Sequence, residues 1–183
     1  MEKSKSIKAQ IFYTDFIVGI LIILIAILLY YGYFLNIITD NKASLNEIIT
    51  DANTISSSLI TSGIPKEWTN ESVQRIGLTD NRMRLSDNKL IEFQEIEYNT
   101  TRKLFSTRFD FVVFFEMANE TIIPVNNKCS IGRPEIVSQP VVGICAKPNI
   151  SIINPYNLVK DIREGIYNKD IVRINVYVWE QRK

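Results

Sequence analysis

Residues 16–39 contain no charged side chain, and this stretch limits what the chain can fold into more than any other feature. An α-helix needs about 20 consecutive apolar residues to cross the hydrocarbon core of a bilayer. A helix that is apolar on every side is otherwise buried in a large core. The remaining residues, roughly 140, make one modest domain that is too small to enclose it. The stretch therefore predicts a transmembrane helix over residues 10–39.

The charges that flank this helix predict its orientation. Lys3, Lys5 and Lys8 precede it, and acidic residues predominate directly after it. Because basic flanks stay in the cytoplasm, we expect a single-pass protein of the cell membrane with a cytoplasmic N-terminus and an extracellular C-terminal domain. A secretory signal has a shorter apolar core, roughly 7–15 residues, followed by a small-residue cleavage site. Since that site is absent, we expect the helix to remain in the mature protein.

The composition of the exported part argues against several classes of function. Beyond residue 39 the basic and acidic residues are equal in number, so no net charge favours nucleic acid. Histidine is absent, which removes the commonest metal ligand and general base. Asp110 and Glu116 are candidate paired acids, but on one strand they would lie roughly 20 Å apart. We therefore expect no enzyme activity, metal, cofactor or nucleic-acid partner.

Cys129 and Cys145 both lie on the side that we expect to be extracellular. In an oxidising exterior such a pair most often forms a disulfide. Closing a loop of about 16 residues would stabilise the fold by roughly 3 kcal/mol. A redox-active pair would have C-x-x-C spacing and a zinc site would need further ligands, so these two alternatives are weaker.

Four N-x-[ST] sequons are potential glycosylation sites in an exported chain. They begin at Asn70, Asn99, Asn119 and Asn149. The alternative is that these are ordinary asparagines of surface loops.

Apolar periodicity predicts that the helix continues beyond the membrane. Positions 45, 48, 52, 55 and 59 are apolar, and their spacing of three and four forms one narrow stripe of a helix. Gly63 and Pro65 are expected to end it. We therefore predict an amphipathic continuation over residues 40–62 and an extracellular α+β domain over 63–183 that packs on the stripe.

The extracellular domain is predicted to hold a second helix, over residues 87–106, and an antiparallel sheet. Apolar residues with a period of two predict its strands at 108–117, 121–125, 135–142, 150–153 and 171–179. Asn154 followed by proline is typical of a helix start. A short helix there would turn Leu158, Val159, Ile162 and Ile166 inward. The predicted fold class is α+β, with a long N-terminal helix packed on a small antiparallel sheet.

Lys8, Ala9 and Gln10 directly precede the apolar run, and Asp15 lies at its edge. This pattern resembles the class III signal peptide of archaeal type IV pilin-like proteins, in which a prepilin peptidase removes a short basic leader ahead of the helix. The resemblance implies a leader of residues 1–9, cleaved between Ala9 and Gln10. The order of long helix, loop and antiparallel sheet is also similar to a pilin. Two departures are that Thr14 holds the fifth mature position, where the archetypal pilin has an acid, and that Ala9 stands where glycine is commoner.

The resemblance implies a structural subunit of a cell-surface filament, used for adhesion or motility, that forms homo- or hetero-oligomers with other pilin-like subunits. Asp15 would then pair with the N-terminal amine of a neighbouring subunit; the alternative is that it lies in the headgroup layer. A different function is also open: an uncleaved single-pass protein whose extracellular domain binds a partner or a cell-wall polymer. A membrane-tethered enzyme would need a polar pocket, which the sequence does not reveal.

Overall fold

A computed structural model describes residues 3–80, 82–141 and 143–181, and for residues 3–15 and 35–43 it describes the backbone alone. The chain divides into two units, Met1–Ser44 and Leu45–Lys183, and helix α1 (Lys3–Leu59) contributes to both. The second unit also contains α2 (Asp87–Glu95), α3 (Tyr98–Leu104), β1 (Asp110–Met117), β2 (Ile122–Ile123), β3 (Ile131–Gly132), β4 (Asn157–Tyr167) and β5 (Asp170–Glu180).

The five strands form one antiparallel sheet in the order β2-β1-β5-β4, and β3 also pairs with β1. β1 and β5 are paired from Asp110↔Trp179 to Met117↔Val172. Both faces of β1 are buried, which explains its continuous apolar run. The α+β class, the apolar N-terminal helix and the antiparallel sheet are confirmed, as are the long strands predicted at 108–117 and 171–179.

The last turns of α1 form one wall of the main core. Ile48, Ala52, Ile55 and Leu59 are buried, which confirms the predicted stripe except for Leu45, which is exposed. These four side chains share one cluster with the sheet. Its members on the two central strands are Phe111, Val113 and Phe115 of β1 and Val172, Ile174, Val176 and Val178 of β5.

The segment that follows α1 supplies hydrogen bonds to the helix end. Carbonyl groups at a helix C-terminus have no partner within the helix. The carbonyl of Leu59, the last residue of α1, accepts from the N–H of Leu78 at 2.9 Å. Directly after the helix, the carbonyl of Ile60 accepts from the hydroxyl of Thr79 at 2.6 Å, and that of Ser62 accepts from the buried ammonium of Lys89 at 2.7 Å. A Cβ at Gly77 would lie 2.2 Å from a backbone nitrogen of the facing segment. Glycine at this position therefore permits the close approach on which these bonds depend.

The opposite face of the sheet is covered by the loop between β2 and β4. Ile136 and Ile150 of this loop pack with Val112 and Trp179, and Cys129 packs against the same strand, β1. The sheet of the second unit thus lies between a helical layer and a loop layer.

The prediction of a short helix that begins at Asn154 is wrong. Residues 157–167 form strand β4, which pairs with β5 along its whole length. Leu158, Ile162 and Ile166 are therefore exposed, and only Val159 of the predicted inward set packs against the core. A spacing of four residues fits two strand repeats as well as one helical turn, so the apolar positions alone did not separate the two structures.

The backbone of the connecting turns explains why β4 forms. Asn168 and Lys169 have positive φ angles of 48° and 76°, and two such residues make the tight turn that joins antiparallel strands. Asn154 has a φ of 45° and ends the short 3₁₀ helix Ile150–Ile153. Asn154 therefore ends the 3₁₀ helix and does not begin an α-helix.

Four other predicted elements differ from the structure. Residues 150–153 form the 3₁₀ helix and no strand. The described part of 135–142 contains no strand, and Pro140 within it lacks the N–H that a ladder requires. The helix predicted over 87–106 is divided into α2 and α3, because Ile96 and Glu97 have extended ψ angles of 130° and 139°. Of the strand predicted at 121–125, only Ile122–Ile123 is formed.

Replacing Ile55 by alanine should lower the free energy of unfolding by about 2–5 kcal/mol, because it leaves a cavity in the main core. The matched control is Ile49→Ala, since Ile49 lies on the same helix and is 47% exposed whereas Ile55 is 0% exposed. The control should change the free energy by less than about 0.5 kcal/mol. Denaturant unfolding of the full chain in detergent, followed by tryptophan fluorescence, measures both. Equal losses in the two variants would contradict the packing of α1 on the sheet.

Candidate functional site

Phe16–Phe34 of α1 has the length and the apolar composition needed to cross a membrane, and none of it is buried within the protein. The rings of Tyr30 and Phe34 stack near its end, with centroids 6.1 Å apart. Such aromatic side chains favour the headgroup layer of a bilayer. These features support anchoring in a membrane.

Ala9, Gln10 and Asp15 lie within the bounds of α1, but their side chains are outside the described residues. The cleavage between Ala9 and Gln10 stays a prediction. The assembly role of Asp15 stays a prediction as well.

Cys129 and Cys145 form the predicted disulfide, with their Cα atoms 5.3 Å apart. Cys129 is buried against β1, and Cys145 is half-buried. The bond therefore links two distant points of the loop layer and holds that layer on the sheet.

An ion pair between Glu116 of β1 and Lys147 of the loop also attaches the loop layer to the sheet. Glu116 of β1 is 4% exposed. Its Oε1 lies 2.8 Å from Lys147 Nζ, and its Oε2 accepts from Asn175 Nδ2 at 3.2 Å. Burial alone would raise the pKa of Glu116, but the bonds from Lys147 and Asn175 outweigh it and lower the pKa below its ordinary value.

The four sequons differ in accessibility. Asn99, Asn119 and Asn149 are exposed and Asn70 is half-buried. Asn119 lies in the turn between β1 and β2, and Asn70 donates through Nδ2 to Glu95 at 3.3 Å. Exposure is a requirement for glycosylation that three of the four sites meet, and the modification itself stays a prediction.

One tyrosine and several charged side chains lie around Asp110 at the start of β1. Tyr98 Oη donates to Asp110 Oδ1 at 2.8 Å, and Arg133 Nη1 donates to Asp110 Oδ2. Arg102 Nη1 lies 4.0 Å from Asp110 Oδ1. Arg133 also donates through Nε to Glu135 at 2.8 Å. We call Tyr98, Arg102, Asp110, Arg133 and Glu135 the Asp110 cluster.

The Asp110 cluster borders a cavity of about 630 Å³. Trp179 also lines this cavity; its side chain is fully buried, and its indole N–H has no acceptor within the described part of the chain. The Nε of Arg102 is likewise buried without an acceptor there. Buried donors are normally satisfied, and these two donors beside the cavity are not satisfied within the described residues.

Tyr98 is held in its protonated form within the Asp110 cluster. Burial and the hydrogen bond to Asp110 raise the pKa of Tyr98 far above its ordinary value, so the phenol stays protonated at neutral pH. A general base would need a pKa near the working pH. Among the residues that the structure describes, no three His, Cys, Asp or Glu side chains are placed to hold a metal ion.

The sequence predictions did not find the Asp110 cluster. Its members come from α3, from the start of β1 and from the loop after β3, and no spacing in the chain connects these segments. The two acids considered as a pair do not meet: Asp110 and Glu116 lie at opposite ends of β1 and belong to separate networks.

No protein-family model, curated protein or solved structure matches this chain.

Replacing Lys147 by methionine should weaken the pH-dependent stability that Glu116 contributes. In the native protein the pKa of Glu116 is lowered, so its contribution is complete above the ordinary carboxyl pKa of about 4.3 and is lost as the pH falls through the folded-state pKa. Without Lys147, burial is opposed only by the Asn175 hydrogen bond and the charge of Lys160, so the pKa of Glu116 rises from its native value and the carboxylate is less stable at neutral pH. We expect Lys147→Met to cost about 1–3 kcal/mol at pH 7, less at pH 4, and least below the lowered pKa of Glu116.

Denaturant unfolding at a series of pH values measures this difference. Lys128→Met is the control, since Lys128 is exposed on the same loop and forms no ion pair within the described residues. It should leave the stability unchanged at both pH values. A loss from Lys147→Met that is the same at pH 4 and pH 7 would show that Glu116 does not depend on this lysine.

Proposed function

We propose that this chain is a type IV pilin-like structural subunit of a cell-surface filament, processed by a prepilin peptidase. The observation that carries the proposal is that one helix serves two purposes. The exposed apolar segment Phe16–Phe34 and the buried stripe at 48–59 both belong to α1. A subunit built in this way anchors in a membrane with one part of its helix and folds its domain on the other.

The leader residues support the same proposal. Lys8, Ala9 and Gln10 precede the apolar segment, and a cut between Ala9 and Gln10 would leave that segment on the mature chain. Before assembly the helix would lie in lipid. On assembly the helices of neighbouring subunits would exchange lipid contacts for contacts with one another, driven by close packing rather than by the hydrophobic effect.

The orientation we propose is a cytoplasmic N-terminus and an extracellular domain. Lysines flank the apolar segment on its N-terminal side, as is typical of the side that stays in the cytoplasm. The disulfide and the sequons all follow the segment in sequence, and disulfides persist in oxidising compartments. We propose mechanical rather than catalytic work for this domain, with glycosylation at some of its exposed sequons.

A second candidate function, an uncleaved anchored protein whose domain binds a partner, is favoured by the cavity at the Asp110 cluster. The indole N–H of Trp179 and the Nε of Arg102 are two buried donors at this cavity. A ligand in this cavity would lie among the charged side chains of Arg102, Asp110 and Arg133. This function predicts that residues 1–9 remain on the chain.

Co-expression with an archaeal prepilin peptidase should shorten the full chain by residues 1–9. Intact-mass spectrometry of the membrane-extracted protein measures the change, and cells without the peptidase give the reference mass. Ala9→Gly should be cleaved and Ala9→Phe should not, because the resemblance implies a small residue directly before the cut. Retention of residues 1–9 in the native chain beside an active peptidase would refute the pilin-like function and favour the anchored binding domain.

A further inference from the structure

We propose that the side chains of Lys147 and Asn175 become joined by an amide bond, with Glu116 as the group that transfers the protons. The bond ties the loop layer covalently to strand β5. This inference goes beyond the proposed function and does not depend on cleavage of the leader. It rests on three features of the sheet: one carboxylate that contacts both reacting groups, a buried amide with an unsatisfied carbonyl, and apolar surroundings.

Glu116 contacts the amine and the amide at the same time. Its Oε1 lies 2.8 Å from Lys147 Nζ, and its Oε2 accepts from Asn175 Nδ2 at 3.2 Å. Because both oxygens belong to one carboxylate, the amine and the carboxamide lie on either side of a single group. The side chain of Lys147 is 54% exposed, so its stem can rotate and bring Nζ from Oε1 to Cγ of Asn175.

Asn175 is a polar residue at a fully buried position of a central strand. It lies on β5 opposite Phe114 and is 0% exposed. Its Nδ2 donates to Glu116 and to the carbonyl of Arg173, but its Oδ1 has no donor within the described residues. Buried polar groups are normally satisfied, and an exception requires an explanation. The proposed reaction supplies a donor for this oxygen.

The reacting groups lie beside an apolar cluster under the loop layer. Phe114 and Cys129 are buried in this cluster, and Cys145 and Tyr177 pack against them. The disulfide holds Cys145 at this place, and Lys147 follows two residues later, so the disulfide also positions the lysine. Apolar surroundings disfavour charged groups, which lowers the cost of converting the ion pair to a neutral amine and a neutral acid.

The first step is a proton transfer from Lys147 to Glu116 across their 2.8 Å contact. The hydrogen bond with Glu116 raises the pKa of Lys147, so the ion pair predominates and the neutral amine is the minor form. Each chain needs to react only once. Groups that are held in position react with effective concentrations of about 10⁵–10⁸ M, which offsets the scarcity of the amine.

In the second step the amine attacks Cγ of Asn175, and a bond forms between Nζ and Cγ. The bond from Cγ to Nδ2 breaks, and Nδ2 leaves as ammonia after the carboxyl group carries one proton to it from Nζ. Of the three protons of the lysine ammonium, one stays on the new amide, one leaves with ammonia and one remains on Glu116. Nothing is oxidised or reduced. Glu116 is then a neutral acid, whose O–H is a donor beside the carbonyl that lacked one.

The ion pair between Lys147 and Glu116 is the state of the chain before this bond forms. Afterwards two covalent bonds, the disulfide and the amide, hold the loop layer. The amide, unlike the disulfide, persists in a reducing environment. The pH series on Lys147→Met therefore takes as its reference a native chain whose mass shows no link.

Intact-mass spectrometry of the full chain, extracted in detergent and reduced, tests the proposal. The native chain should be lighter than its sequence by about 17 Da, the mass of ammonia, and removal of residues 1–9 is a far larger change that does not interfere. Trypsin cuts after lysine and arginine unless proline follows, so it places Lys147 in peptide 129–160 and Asn175 in peptide 174–182. These two peptides should appear joined, with the bond at residues 147 and 175 in the fragment spectrum.

Two variants and a matched control assign the reacting groups. Lys147→Arg keeps the charge beside Glu116 but cannot form the amide, and Glu116→Gln keeps the shape of the side chain but cannot transfer the protons. Both should have the full sequence mass and separate peptides. Lys160→Arg should remain linked, because the charge of Lys160 acts on Glu116 but its Nζ lies 5.2 Å from the centre of the Tyr177 ring. A circular dichroism spectrum checks the folding of each variant.

A native chain with its full sequence mass would overturn the proposal. A loss of ammonia that persists in Lys147→Arg would also overturn it, since an N-terminal glutamine or an asparagine loses ammonia when it cyclises. A link between the two peptides that survives Glu116→Gln would be equally contrary to it.

Discussion

The burial of one face of α1 against the sheet is the contact on which the second unit depends. Ile48, Ala52, Ile55 and Leu59 lie in the same cluster as the inward side chains of β1 and β5. A small sheet with one uncovered apolar face is not stable by itself, and a helix of this length draws most of its stability from packing. Each element therefore requires the other. The hydrogen bonds from Thr79 and Lys89 to the residues that directly follow α1 hold the chain at the point where the helix ends.

The second face of the sheet is organised differently, by a loop that carries little regular structure of its own. The disulfide between Cys129 and Cys145 and the pair between Glu116 and Lys147 hold this loop at separate points. Between them Ile136 and Ile150 bury apolar surface against the sheet. The loop layer also brings Arg133 to Asp110, and so the cavity at the Asp110 cluster exists only when this layer is in place. A binding role for the cavity would thus depend on the disulfide as well as on the cluster.

The sequence predicted those parts of the fold that burial alone determines. The apolar residues of β5 alternate because one of its faces lies in the main core, while its other face, with Asn175 and Trp179, lies under the loop layer. β1 is apolar throughout because both of its faces are buried. The apolar residues of α1 recur every three or four positions, which places them on one side of a helix. The prediction was wrong where a strand and a helix share the same apolar pattern. Leu158, Ile162 and Ile166 are four positions apart, which fits an exposed strand face as well as a buried helix face. It also missed contacts between distant segments. Tyr98, Asp110 and Arg133 meet only after three separate segments have folded, and no local signal marks them.

The account rests on α1 and the sheet forming one cooperative core, and native-state hydrogen exchange of the full chain in detergent micelles tests that claim most directly. The amides of residues 48–59 would be compared with those of 111–116 in β1 and 172–178 in β5. The account predicts that all three groups exchange with the same opening free energy, since none can stay folded when another opens. If residues 48–59 exchanged at a much lower free energy while the two strands stayed protected, the helix would not be part of the core and the central claim would be contradicted.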